Sequence, residues 1–592
     1  MFEKLLMSRW SIWIAALLGM LLTLPAMNMG LMGDDYLHWS LLTGLAHNPQ
    51  PGSPFGLFTF ADGNPVHNQL LMDSGKLVWW ASDTLRIAFW RPLAEWSQWL
   101  DYQIWPHSPL FMHLHNLALY GVMIVLVGKL FLALDSDRRQ ASFATLLFAG
   151  NMLHVFAVAW LASRNQMLCG IWLTLTLLAY HRWRSGASMV YGVLAALCLA
   201  LGLFSAEAAV QTTGYLFAYA LFMEPGQPLW RRLAALLPFA VIVLTWKATH
   251  GHLGYGSLGS PGYVDPTSNI GGFLTSLMLR LPALMLAQWY GVSSLMFEQL
   301  SRSTQIIYAA SGAVALLLLA LAMQGLGVFR SRLARFYGLG SILALAPACA
   351  GYPFDRLTIN ADIGASGLLS MALLTLWPQR KQLRGWAMGS VKYLLLFIGV
   401  VHVLLFPLGK VGSSIAMKPI NTSGEAAGPL ALPQAQGDEH FMLLNPPSGE
   451  AIYYFPVTRQ FHGMRNPATI DALGPNNQAM TLSRPDTQSL RVNVPEGFKG
   501  TITRDVRRQP FKVGDTARMG NIEVTVEAIT PERLPQTVRY RFPDDIQSAH
   551  WRFFAWRDDG VHAVDMPPVG QSLEIPAYDI GKVVMYYASK KS

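Results

Sequence analysis

The chain has 592 residues, of which 52% are hydrophobic and 13% charged, about half the charged share of a soluble globular protein. A wholly soluble protein is therefore excluded. Residues 1–411 hold 25 of the 44 Lys+Arg and 16 of the 35 Asp+Glu, so the net positive charge belongs to the apolar part and the remainder is balanced. Basic residues at the ends of apolar spans orient a membrane protein, and nucleic acid is not an expected partner. The cysteines, Cys169, Cys198 and Cys349, all lie in apolar stretches and supply neither a disulfide framework nor a cysteine metal site.

At the amino terminus, MFEKLLMSRW leads into an apolar run that ends in LPAMNMG, a poor site for signal cleavage. The expectation is an uncleaved first helix with Lys4 and Arg9 inside. About 20 apolar residues cross a bilayer as a helix. On that measure eleven spans are expected, near 11–30, 109–134, 141–159, 165–181, 188–206, 208–223, 233–249, 305–325, 336–350, 363–378 and 388–407. Arg138/Arg139, Arg182/Arg184, Arg231/Arg232, Arg330/Arg332/Arg335 and Arg380/Lys381/Arg384 mark one side as cytoplasmic. The tail then lies outside, provided that residues 273–304, with Arg280, Pro282 and Gln288, form an outer-interface or re-entrant helix.

Two outer regions, 31–108 and 251–304, are large enough to build a site. The first carries Trp79, Trp80, Trp90, Trp96, Trp99 and Trp105, spaced for short helices at the headgroup level. The second opens with HLGYGSLGSPGYVDPTSNIG, whose glycines and prolines suggest a mobile lid. Residues 412–435, rich in Gly, Ala, Ser and Pro, are expected as a linker. Residues 436–592 alternate in runs such as Gly520–Val526, Thr537–Arg541 and Lys582–Tyr587, the pattern of a mostly β domain such as a sandwich.

Asp34 and Asp35 emerge where the first helix leaves the membrane. A partly desolvated carboxylate there can deprotonate an acceptor hydroxyl, and adjacent like charges tend to raise one pKa. The alternative is a solvated helix end. A divalent metal at this point would need further ligands, and the pattern supplies none.

The Asp pair, FWRPLAEWSQWLDYQIW at 89–105, PLFMHLHNLALY at 109–120 and WLASRNQML at 160–168 together resemble the GT-C glycosyltransferases. The likeness is to the protein O-mannosyltransferase type and its bacterial relatives, the lipid A aminoarabinose transferases included. Arg91-Pro92, His115-Asn116 and Arg164 stand where that family has an Arg-Pro pair, a His-Asn pair and an arginine opening the fourth helix. Glu207 matches the acidic member of a Lys-Glu pair, with Ala206 in place of the lysine, and Arg356 in YPFDRLTINADIGAS matches the arginine of a late outer loop.

The resemblance implies a GT-C-like fold of about eleven transmembrane helices over residues 1–411, with a C-terminal mostly β extracytoplasmic domain. It implies transfer of a sugar from a polyprenyl-phosphate donor to a periplasmic acceptor (lipid, glycan or protein) at a bacterial inner membrane. The N-terminus would be cytoplasmic and residues 436–592 periplasmic. Asp34 or Asp35 would be the general base. Arg356, Arg164, Glu207 and Arg91 would serve the donor phosphate, and His115, Asn116 and Tyr255 the acceptor side or its loop. A guanidinium suits a phosphate leaving group because it is permanently charged and donates in pairs. Arg356 could instead pair with Asp355 or Asp362, and Glu207 with Arg164. The competing functions are a transporter or flippase of a lipid-linked intermediate, which predicts ionisable residues deep within the spans, and a non-catalytic envelope assembly factor.

Overall fold

The computed structural model describes residues 2–45, 56–380, 385–499 and 502–590. Lys381 and Arg384 of the inner loop lie outside them, as does part of the outer region 31–108. The chain divides into two compact units. The first comprises residues 1–31, 89–253 and 264–418, and the second 32–88, 254–263 and 419–592.

The first unit is helical, and the protein is a multi-pass membrane protein. Among the described residues six helices are long and apolar enough to cross a membrane, by length and composition: Ser11–Asn28, Pro109–Leu134, Leu229–His252, Ile270–Tyr290, Arg302–Gly325 and Met388–Ala427. Some of the other expected spans are short or interrupted, while Arg164–Arg184 is a continuous helix of 21 residues. The helix Arg138–Gly150 stops where the Asn151 side chain accepts from Leu153 N–H, and the chain restarts as His154–Ala159. Val190–Ser205 is apolar but short, and Gln211–Phe222 begins only after a 3-10 turn at Glu207–Val210. Ile270–Tyr290, kept out of the eleven, is one of the six despite Pro282 within it.

Small residues let the helices approach. A Cβ on Gly128 would lie 2.7 Å from Ile12, and one on Gly19 2.6 Å from Ile124. The first helix thus packs backbone-close on Pro109–Leu134, where van der Waals contact replaces the missing hydrophobic drive.

The second unit gathers three stretches distant in sequence. Thr59–Asp62, Arg86–Ala88 and Gly256–Leu258 form a three-stranded antiparallel sheet. Residues 256–258 are therefore a paired strand, and Gly259 C=O accepts from Asp505 N–H at 2.7 Å. Backbone pairing on that scale replaces the expected mobile lid along this stretch. Six strands form a second sheet in the order Ser572–Ile575, Met480–Ser483, Ser489–Asn493, Pro535–Arg541, Ile522–Ile529 and Thr516–Met519. Their alternation is that of a half-buried sheet: Val524 and Val526 are buried while Glu523 is exposed.

The third sheet departs from a simple antiparallel sandwich. His440–Leu443 runs parallel to both Trp551–Arg557 and Thr469–Ala472, and the helix Phe455–Phe461 lies in the connection between His440–Leu443 and Thr469–Ala472, as parallel pairing requires a crossover. Residues 582–587, expected as a strand, belong to the helix Ile580–Ser589. Its start is capped by Asp579, which accepts from Gly581 N–H. The linker expected from 412 is helical as far as Ala427.

Trp79 and Trp80 are 3% and 1% exposed. They are core residues of this unit and not headgroup anchors: the Trp79 indole donates to Tyr540 Oη at 2.9 Å, and both rings meet Phe498 edge-on. An indole N–H with a protein partner no longer needs a wet interface.

Candidate active site

In the second unit, Asp34 and Asp35 form the first turn of the helix Asp34–Leu42. It is entered through Gly33 at φ 52°, a backbone that favours glycine. Carboxylates suit this end of a helix, where N–H groups are unpartnered and the dipole is positive. Their environments differ. Asp35 is 1% exposed and accepts from Met32 N–H at 3.1 Å, which closes the turn. Asp34 is half-exposed, and its Oδ1 accepts from the Tyr454 hydroxyl at 2.6 Å. Burial, with the negative charge of Asp34 beside it, pushes the Tyr454 phenol well above its ordinary value. The same helix is held by Tyr36, whose hydroxyl donates to Glu425 and whose ring lies 5.3 Å from Phe461.

In the first unit, Arg164 is fully buried. It donates to Asp101, to Asn116 Oδ1 at 2.5 Å, to the Ser97 carbonyl at 2.9 Å and to the Met112 carbonyl. Asp101 in turn accepts from His115 Nδ1 at 2.7 Å. The sequence motif around His115-Asn116 and the arginine opening the helix Arg164–Arg184 are thus brought together, with Asp101 between them. Glu207 pairs instead with Arg91, at 2.8 Å. The expected Glu207–Arg164 pair is not formed, because Asp101 takes the guanidinium. Arg91 also lies over the Phe89 ring at 4.5 Å.

Arg356 is half-buried on an aromatic floor, its guanidinium carbon 4.4 Å from the Trp160 ring centre, 4.8 Å from Phe354 and 5.8 Å from Phe156. Asp355 accepts from Ser293 Oγ and Ser294 N–H, and Asp362 from Gln288 Nε2 and Ser366 Oγ. Cation–π contact leaves the edge of a guanidinium able to donate to an anion.

Tyr255 is 5% exposed in the second unit, beside the strand Gly256–Leu258. Among the described residues no group of three or more His, Cys, Asp and Glu is arranged to hold a metal.

Several groups were missed from sequence. Asp101 lies in the quoted run at 89–105 and Trp160 four residues before Arg164, so both had a local signal. Tyr454 had none, since 420 residues separate it from Asp34. Also missed was a sealed chain in the first unit: Lys410 Nζ to Tyr120 Oη at 2.7 Å, Tyr120 Oη to His154 Nδ1 at 3.0 Å, and His154 Nε2 facing Asp362 at 3.2 Å.

No family model and no curated protein matches this sequence. Among solved structures, it is similar to the oligosaccharyltransferase AglB from Archaeoglobus fulgidus, in complex with an inhibitory peptide and a dolichol-phosphate. That match has 13% identity and a TM-score of 0.39, over 78% of this chain and 65% of that one. A second match is to the A. fulgidus oligosaccharyltransferase tethered with an acceptor peptide, at 13% identity and a TM-score of 0.41, over 78% and 64%. A third is to ArnT from Cupriavidus metallidurans bound to undecaprenyl phosphate, at 15% identity and a TM-score of 0.33, over 74% and 88%. The chain spans less than two thirds of the length of the two archaeal structures.

Proposed function

We propose that this protein is a membrane glycosyltransferase that moves a sugar from a polyprenyl-phosphate donor to an acceptor outside the cytoplasm, with Asp34 as general base and Arg356 as donor-phosphate contact. The observation that carries the reading is the split between the two adjacent carboxylates. Asp35 is sealed into its turn, whereas Asp34 is only half-buried and has one oxygen held by Tyr454. The order of motifs along the chain, which resembles that of the GT-C glycosyltransferases, supports the same reaction class.

In the proposed step the acceptor O–H gives its proton to Asp34 as its oxygen bonds to the anomeric carbon. The bond from that carbon to the phosphate oxygen breaks, and the polyprenyl phosphate leaves with the electron pair. Charge grows on the phosphate as the bond opens, which is where a guanidinium lowers the barrier. Asp34 supplies the proton acceptor and Arg356 the countercharge.

The orientation has the N-terminus cytoplasmic and residues 436–592 periplasmic, at a bacterial inner membrane. The orientation requires that the segment that begins at Ile270 does not cross, as an outer-interface or re-entrant helix would not. Arg280 pairs with Glu298 and donates to the Cys349 and Gly351 carbonyls, while Ser293 and Ser294 hold Asp355. The loop at 349–355 thus runs from Arg280 within this helix to Ser293 and Ser294 just beyond its end. Arg330, Arg332 and Arg335 then stay cytoplasmic.

A second reading, transport of a lipid-linked intermediate, draws on the sealed Lys410, Tyr120, His154 and Asp362 chain, because ionisable groups deep in a membrane domain mark transport paths. Deleting the gene and comparing envelope glycans by mass spectrometry identifies donor and acceptor. The purified whole chain is then assayed for transfer with those two compounds in detergent, where transport has no meaning. Asp34→Asn should lower turnover about 10²–10⁴-fold, the worth of a positioned general base, with protein yield unchanged. No transfer by the wild-type chain, or full transfer by Asp34→Asn, would overturn the proposal.

A further inference from the structure

Tyr454 lies in the C-terminal part of the chain, for which composition gave no role, yet its hydroxyl is the group that meets Asp34. Its backbone is fixed from both directions. Upstream, the Glu450 carboxylate accepts from Ile502 N–H at 2.7 Å, Thr503 N–H at 2.9 Å and Thr503 Oγ1 at 2.7 Å. Gly449 N–H donates to the Pro475 carbonyl at 2.6 Å, and a Cβ on Gly449 would lie 2.7 Å from Trp80. Downstream, Tyr454 leads directly into the helix Phe455–Phe461, whose Phe455 is 4% exposed. A side chain launched from so constrained a segment has little freedom to leave its partner, and that is how a supporting residue fixes a reacting one.

We infer that Tyr454 is a positioning residue for the base, holding the Asp34 carboxylate aimed through its Oδ1 so that Oδ2 is left to take the acceptor proton. The inference rests on the proposed role of Asp34 and gives the C-terminal domain a part in the catalytic centre. The direction of the bond is settled by chemistry. Burial raises the phenols of both Tyr454 and its neighbour Tyr453 above the ordinary tyrosine value, so each stays an O–H donor and the carboxylate must accept. A donated hydrogen bond favours the charged carboxylate over the neutral acid. The neighbouring polar groups have partners of their own. Asp35 adds a like charge one residue away but is tied to Met32 N–H, Glu425 is taken by Tyr36, and Tyr453 packs its ring 5.5 Å from that of Tyr454. Tyr263 also lies near enough to interact with the Tyr454 phenol.

The test reads the carboxylate itself and needs no substrate. The full chain in detergent is treated at one pH with a water-soluble carbodiimide and glycine ethyl ester, and the rate of labelling at Asp34 is followed by peptide mass spectrometry. Asp35, being buried, serves as an internal reference that should stay unlabelled. In Tyr454→Phe, which removes one oxygen and keeps the ring, labelling at Asp34 should speed up roughly several-fold, as expected when one charge-assisted hydrogen bond no longer holds Oδ1. Tyr453→Phe should leave the rate as it is in the wild type. Equal rates in Tyr454→Phe and wild type would overturn the inference, as would an equal rise in Tyr453→Phe. Failure of the underlying reading has a separate signature, full transfer activity in Asp34→Asn, and in that case a raised labelling rate would describe a structural contact only.

Discussion

The clusters around Arg164 and around Asp34 hold an ionised group by opposite means. Arg164 is fully buried and its donors are spread over Asp101, Asn116, Ser97 and Met112, so its bonding capacity is spent inside the protein. Asp34 has one oxygen bound by Tyr454 and keeps exposed surface. The difference teaches how to sort charged residues that a motif presents as equals. A charge whose partners are all internal fixes the scaffold, because removing it strands its counter-ion in a low dielectric. A charge left partly open keeps capacity for a substrate. Arg356, half-buried with its face on Trp160, is the guanidinium to set beside these two.

The sharpest way to break this comparison is Arg164→Ala. It leaves Asp101 buried without its guanidinium, and losing one partner of a buried pair costs about 3–5 kcal/mol. The expected outcome is a large loss of folded yield and of monodisperse protein on size-exclusion chromatography after heating. Asp34→Asn should leave both unchanged. A well-folded Arg164→Ala protein that fails only in transfer would move Arg164 back to the substrate side and dissolve the distinction.

Arg356→Lys comes next in size and should act on the other ledger. An ammonium keeps the charge but cannot supply two parallel donors, and it stacks less well on an indole. Losing a hydrogen bond to a charged group is worth about 1.5–3 kcal/mol, so transfer should fall roughly 10–100-fold with thermal stability little changed. Transfer kinetics at varied donor concentration check it, and unchanged kinetics in both Arg356→Lys and Arg356→Ala would remove this residue from the mechanism.

Much of the membrane part was legible in sequence because apolar length is a one-dimensional signal. The span near 109–134 coincides with the helix Pro109–Leu134. Where the signal failed, a local event intervened, as at Asn151, whose side chain caps the break between the helices Arg138–Gly150 and His154–Ala159. The second unit was far less legible. Its core joins Trp79 to Tyr540 and Gly259 to Asp505, and pairings across hundreds of residues leave no periodicity in any one window. The tryptophans near residue 80 therefore read as interface anchors, since composition does not say whether an indole meets lipid or protein. Of the candidate site, Asp34, Arg91, His115, Asn116, Arg164, Glu207 and Arg356 were legible from local motifs. Their sorting into sealed and open was not, because burial depends on neighbours such as Asp101 and Tyr454 that arrive from elsewhere in the chain.

The smallest effect, and the finest test of the comparison, lies at Arg91 and Glu207. Their side chains are 16% and 27% exposed and meet at 2.8 Å, which places the pair between the sealed and the open cases. An ion pair with that much solvent contact is worth about 0.2–1 kcal/mol, so Glu207→Gln should shift the thermal midpoint by little and leave folded yield intact. The amide keeps an oxygen for Arg91 Nε, which now donates to Glu207 Oε2 at 2.9 Å, while the countercharge is gone. If the pair serves only to hold Arg91 against Phe89, transfer should fall no more than a few-fold, the kinetic equivalent of that same energy. A fall approaching that of Arg356→Lys, with stability still intact, would instead move Glu207 to the open class as a substrate-contacting group. Measuring the midpoint and the turnover on one preparation separates the two, because the first reads the pair within the protein and the second reads what the pair does for a ligand.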